Sequence, residues 1–108
     1  MLTWEEFEKV DIRIGTIVAA TMNTSVKKPA YLLQIDFGSL GIKKSSAQIT
    51  DLYTPEDLLG LQVAAVVNFP PKQIGKIMSE CLLLGAVSDT GVVILQTQRR
   101  TDNGLKVS

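Results

Sequence analysis

Lys43-Lys44-Ser45-Ser46 and Gln48 place two ammonium groups, two hydroxyls and a primary amide within six residues, with no carboxylate among them. A serine nucleophile with a lysine base is one chemistry such a set could support. Neighbours on a strand point to opposite faces, so Lys44 goes with Ser46 and Lys43 with Ser45. Pairs held only that way are too weakly fixed to act as nucleophile and base, and catalysis is not expected. Hydrogen bonding to a ligand is the better use of this donor row. Asn68-Phe69-Pro70-Pro71-Lys72 adds an amide, an aromatic ring, two prolines and another ammonium at the abrupt end of an apolar run. Met78-Ser79-Glu80 adds a flexible apolar side chain beside two polar ones. Each residue also has a plain packing role open to it. Ser45 and Ser46 would be ordinary strand-surface residues, Phe69 core, Pro70-Pro71 a strand stop, and Met78 a plug over a barrel end.

Other chemistries are excluded by what is missing. The chain has no histidine and one cysteine, which removes the commonest general base, the commonest metal ligand and any internal disulfide. No Gly-rich loop precedes a helix to cradle phosphate. No metal and no cofactor are expected. Cys81 opens the apolar run Cys81-Leu82-Leu83-Leu84 and reads as a buried small hydrophobe.

The 108 residues suit one domain, 1–108, with one mostly aliphatic core, since 45% are hydrophobic and 6% aromatic. Eleven basic residues balance eleven acidic ones. Distribution matters more than the sum: Glu5, Glu6, Glu8 and Asp11 crowd the start, whereas Lys27 to Lys44 holds four lysines against Asp36 alone. That distribution leaves room for a locally basic patch on a neutral protein. No apolar run reaches membrane-spanning length and no signal-peptide pattern opens the chain, so no membrane insertion and a cytoplasmic location are expected.

The elements that must position these groups follow from periodicity. Thr3 and Glu6 form a capping box for a short helix. Trp4, Phe7 and Val10 share its apolar face, which caps one end of the core or serves dimerisation. Strands are predicted over 11–20, with Gly15 marking a bend or bulge, then over 31–37 and 42–50. Thr54-Pro55-Glu56-Asp57 starts a second helix that Gly60 ends. A strand over 62–69 should be buried on both faces or sit at a crowded barrel seam. Residues 72–80 read as a loop. Strands over 81–87 and 92–96 flank the turn Ser88-Asp89-Thr90-Gly91, and 105–107 offers a last short strand. This order is an all-β protein with short helices: a five-stranded Greek-key barrel of the OB-fold, with an N-terminal helix and a second helix between strands three and four. That barrel binds ligands on the outer face of its second and third strands, here Lys44, Ser46 and Gln48. The mixture suits an extended peptide, or an RNA loop in which Phe69 stacks a base and lysines meet phosphate.

Four segments together resemble the CsaA family of small export-related chaperones: Asp11 to Ile17, Lys44 to Thr50, Val66 to Ile74 and Met78 to Gly85. The resemblance spans essentially the whole chain, and Ser-Ser-Ala-Gln-Ile-Thr with Asn-Phe-Pro-Pro carries most of it. It implies a homodimer with chain ends packed between subunits. It also implies ATP-independent binding of unfolded or presecretory polypeptide and an association with export. The ligand segments would be Ser45 to Gln48, Asn68 to Pro71 and Met78 to Glu80. Related appendages of aminoacyl-tRNA synthetases bind tRNA, which makes tRNA the alternative partner. Residues 25–29 and 99–108 depart from the family pattern.

Overall fold

Strand β1, Ile12–Met22, is the longest element, and the barrel is built around it in a computed structural model that describes residues 1–108. Its first half pairs antiparallel with β4 (Gln62–Val66) and its second half with β2 (Tyr31–Asp36). One strand can serve two neighbours because it bends. The β2 register shifts between Ile17 and Ala19, which leaves Val18 as the extra residue of a bulge. The bulge therefore sits three residues beyond Gly15. Gly15 answers a different need, since a Cβ there would lie 2.6 Å from Ile35 and 2.8 Å from Phe37.

Strand β3, Ile42–Ala47, pairs with β2, and β7, Leu82–Leu83, pairs with β4. The sheet order β3-β2-β1-β4-β7 curls into a nearly closed five-stranded antiparallel barrel of the OB-fold. Ile17, Leu33, Ile35, Phe37 and Val63 fill it completely buried, and Leu58 plugs one end. Leu58 comes from the short helix α2, Pro55–Leu58, with its Thr54/Asp57 capping box as expected. Strand β4 is buried on both sides because residues 96–103 fold over its outer face. There Gln62 Nε2 donates to the Thr101 carbonyl at 2.6 Å and to Asn103 Oδ1 at 3.0 Å.

Several expectations need correction. Residues 72–80 are not a loop but a hairpin, β5 (Lys72–Ile74) and β6 (Ile77–Ser79), turned at Gly75. The expected strand over 81–87 is split. Leu82–Leu83 stays in the barrel, while Gly85–Ser88 (β8) leaves it to form a separate hairpin with Gly91–Ile94 (β9). The third strand ends at Ala47 rather than Thr50, and the fourth at Val66 rather than Phe69. Helix α1, Trp4–Glu8, has the Thr3/Glu6 capping box but does not cap the core: none of it is buried and Trp4 is 84% exposed. Residues 105–107 do return to β1, with Ile14 and Val107 amides donating to the Leu105 and Ile12 carbonyls at 3.0 and 2.8 Å. No helix is long and apolar enough to cross a membrane.

Candidate binding site

The barrel closes between β3 and β7 without a strand ladder. Side chains and one main-chain bond hold it instead. The Glu80 amide donates to the Lys44 carbonyl at 2.7 Å, and the Lys44 amide donates to the Glu80 carboxylate at 3.0 Å. The Ser46 amide donates to Ser79 Oγ at 3.1 Å, and Ser45 Oγ donates to the Cys81 carbonyl at 3.0 Å. Ser45, Ser79 and Glu80, all expected to meet ligand, thus form a latch across the barrel. Ser45 corrects the reading of a strand-surface hydroxyl: it shares the core face with Ala47, is 2% exposed, and its hydroxyl is already committed.

The β5–β6 hairpin folds over β3 beside this latch and encloses a cavity of about 320 Å³. Ser46 and Ser79 form its floor, Phe69 and Pro70 one wall, and Lys72 its rim; Ile74, Cys81 and Leu82 complete it. Phe69 is 56% exposed, so it is not the core residue its apolar neighbours allowed. The chain turns out at Val67-Asn68, and Asn68 fixes that turn. Its Nδ2 donates to the Lys9 carbonyl at 2.7 Å and its Oδ1 accepts from the Asp11 amide at 3.0 Å. Asn68 therefore orients Phe69 rather than facing the cavity. Pro71, Lys43 and Met78 do not line it. Met78 is 42% exposed on β6 opposite Gln73, so it does not plug the barrel.

A second cavity of about 260 Å³ adjoins the first, with Ser46 and Leu82 common to both. Ala47, Gln48 and Ile49 line one side, Leu83 and Leu84 the other, with Val92 and Ile94 of the outer hairpin below. Sequence reasoning missed Asn23, which ties the site together. It is buried at the end of β1; its Nδ2 donates to Ser46 Oγ at 3.2 Å and to the Ile74 carbonyl at 3.4 Å. Its position in a polar connection gave no signal of that burial. The missed apolar walls Ile74 and Leu82 had none either, since the hairpin that brings them together read as a loop.

Two electrostatic facts bear on the chemistry. The chain's one side-chain ion pair joins Arg13 to Asp11, so Lys27, Lys28, Lys43, Lys44, Lys72 and Lys76 have no carboxylate partner. Burial pushes the Cys81 thiol up to about 11, and the thiol donates to the Lys44 carbonyl. The thiol on the cavity wall is neutral at physiological pH and inert as a nucleophile.

Residues 12–106 match the family model described as "Putative tRNA binding domain". The chain belongs to that tRNA-binding domain family. The crystal structure of chaperone CsaA from Bacillus anthracis superposes with a TM-score of 0.95 at 50% identity, covering 100% of this chain and 99% of that one. The CsaA chaperone protein from Picrophilus torridus gives a TM-score of 0.95 at 44% identity, with both chains covered completely. The methionine–tRNA ligase of Methanococcoides burtonii is 34% identical over 107 residues, which is 96% of this chain but 15% of that enzyme. The tRNA-binding domain thus spans about 15% of the length of the ligases it matches.

Proposed function

We infer that this chain is a homodimeric, ATP-independent chaperone that binds unfolded or presecretory polypeptides in the cytoplasm, with a role in protein export and contact with export machinery. The observation that carries the reading is the half-exposed Phe69-Pro70 wall over a cavity whose floor is Ser46 and Ser79. An apolar wall beside hydrogen-bonding groups suits an extended chain, whose side chains and backbone need one each. Full-length likeness to two chaperone structures supports it. Dimerisation is supported by the exposed apolar residues Leu2 and Trp4, which line one surface hollow with Phe7 that a second copy would cover. The bound ligand would meet no catalytic group: Ser45 is committed and Cys81 is neutral.

A second reading, tRNA binding, rests on the eight lysines, none of which has a carboxylate partner. The two separate in a paired titration with labelled unfolded polypeptide and labelled tRNA, each at low and high salt. Peptide binding that survives salt, with tRNA binding absent or collapsing, is the expected outcome. Tight tRNA binding with a steep salt slope and no peptide binding would overturn the chaperone reading, because each neutralised phosphate releases counterions.

A further inference from the structure

The second cavity is an unzipped seam in the barrel wall, and the register of the strands says what faces it. The β3 pairing and the outward bonds of Lys44 and Ser46 fix the alternation: Lys43, Ser45 and Ala47 turn their backbone groups to β2, and Lys44 and Ser46 turn theirs away. The latch uses the outward groups as far as the Ser46 amide. Beyond it, Gln48 makes no main-chain hydrogen bond and its side chain is exposed. Across the gap, the Leu84 amide donates to the Ala64 carbonyl at 3.0 Å, in register with Val66 opposite Leu82. Leu82 and Leu84 therefore face β4, and Leu83 turns its amide and carbonyl toward the seam.

Every neighbouring pair in the sheet is antiparallel, so β3 and β7 run in the same direction. A strand placed between them can be antiparallel to both. We propose that an extended segment of client polypeptide enters this seam as an added strand, bonding Gln48 on one side and Leu83 on the other. Its inward side chains meet Ala47, Ile49, Val92 and Ile94, which selects a short stretch with apolar residues at alternate positions. Main-chain bonding gives affinity without demanding one sequence, as a chaperone requires. The inference rests on the polypeptide-binding reading and names its mode.

The test is amide hydrogen exchange with a short synthetic peptide alternating valine with threonine, alongside titrations of Gln48→Pro and Gln48→Ala. Gln48 lies outside β3 with no main-chain partner, so proline removes one N–H without breaking a ladder. Binding should slow exchange at Gln48 and Leu83 by about tenfold or more. Gln48→Pro should weaken peptide binding about five- to tenfold more than Gln48→Ala, which keeps the N–H. If the peptide binds with both amides exchanging as before, the seam is not the site, and polypeptide binding elsewhere still stands. If the peptide does not bind at all, the seam and the chaperone reading fall together.

Discussion

Phe69 is held out of the core by its neighbours rather than by its own preference, since Asn68 beside it is bonded to Lys9 and Asp11. Phe69→Ala should therefore cost little stability, within about 0.5 kcal/mol. It should weaken unfolded-polypeptide binding by about tenfold, read in the same titration. Gly15→Ala has the opposite character. Its Cβ would press on Ile35 and Phe37 inside the barrel, and a loss of about 1–3 kcal/mol in urea unfolding is expected. Cys81 gives a pH signature. Its folded pKa of about 11 lies above its ordinary 9.0, so the folded state holds a proton there that the unfolded chain releases. The thiol's contribution is fully present below pH 9 and is lost as pH rises toward 11; Cys81→Ala should flatten that decline. Residue roles were only partly legible. The types around Ser46 and Phe69 pointed to a binding surface. That Ser45, Ser79 and Glu80 would be spent on a latch depends on which strand edge faces which, and that is a tertiary fact.

Among elements, the β5–β6 hairpin decides whether the site exists. It read as a loop because Lys72 to Glu80 is polar and its strands are three residues each, too short for alternation to register. Its stability comes from outside itself. The Lys76 amide donates to Ser25 Oγ at 2.9 Å, and Ser25 Oγ donates to Asn23 Oδ1 at 2.6 Å. At the turn, Gly75 has a φ of +64° and lies against Ser25, where a Cβ would collide with Ser25 Oγ. Asn23→Ala breaks this chain of bonds. Faster exchange at Ile77 to Ser79 and a loss of about 1–3 kcal/mol are expected. Strands with strong parity, such as Tyr31 to Phe37, were readable from periodicity alone. The split at Leu84-Gly85 was not, because a continuous apolar run looks the same whether it stays in one sheet or crosses to another.

For the whole molecule, the proposed dimer has a measurable consequence. Two cavities on one rigid particle raise the effective concentration for the second contact of a long client. Trp4→Asp should yield a monomer by sedimentation and lose far more affinity for long polypeptides than for short ones; equal losses would sink the avidity argument. The return of residues 104–107 to β1 has a different reach. The Arg13 guanidinium donates to the Gly104 carbonyl at 3.0 Å, and the Gly104 amide donates back to Ile14. The edge of β1 is thus completed by residues made some ninety positions later. A nascent chain on the ribosome carries β1 with a bare edge until the segment around Gly104 has cleared the exit tunnel. A protein proposed to shelter other unfinished chains must itself pass through that unfinished state on every round of translation.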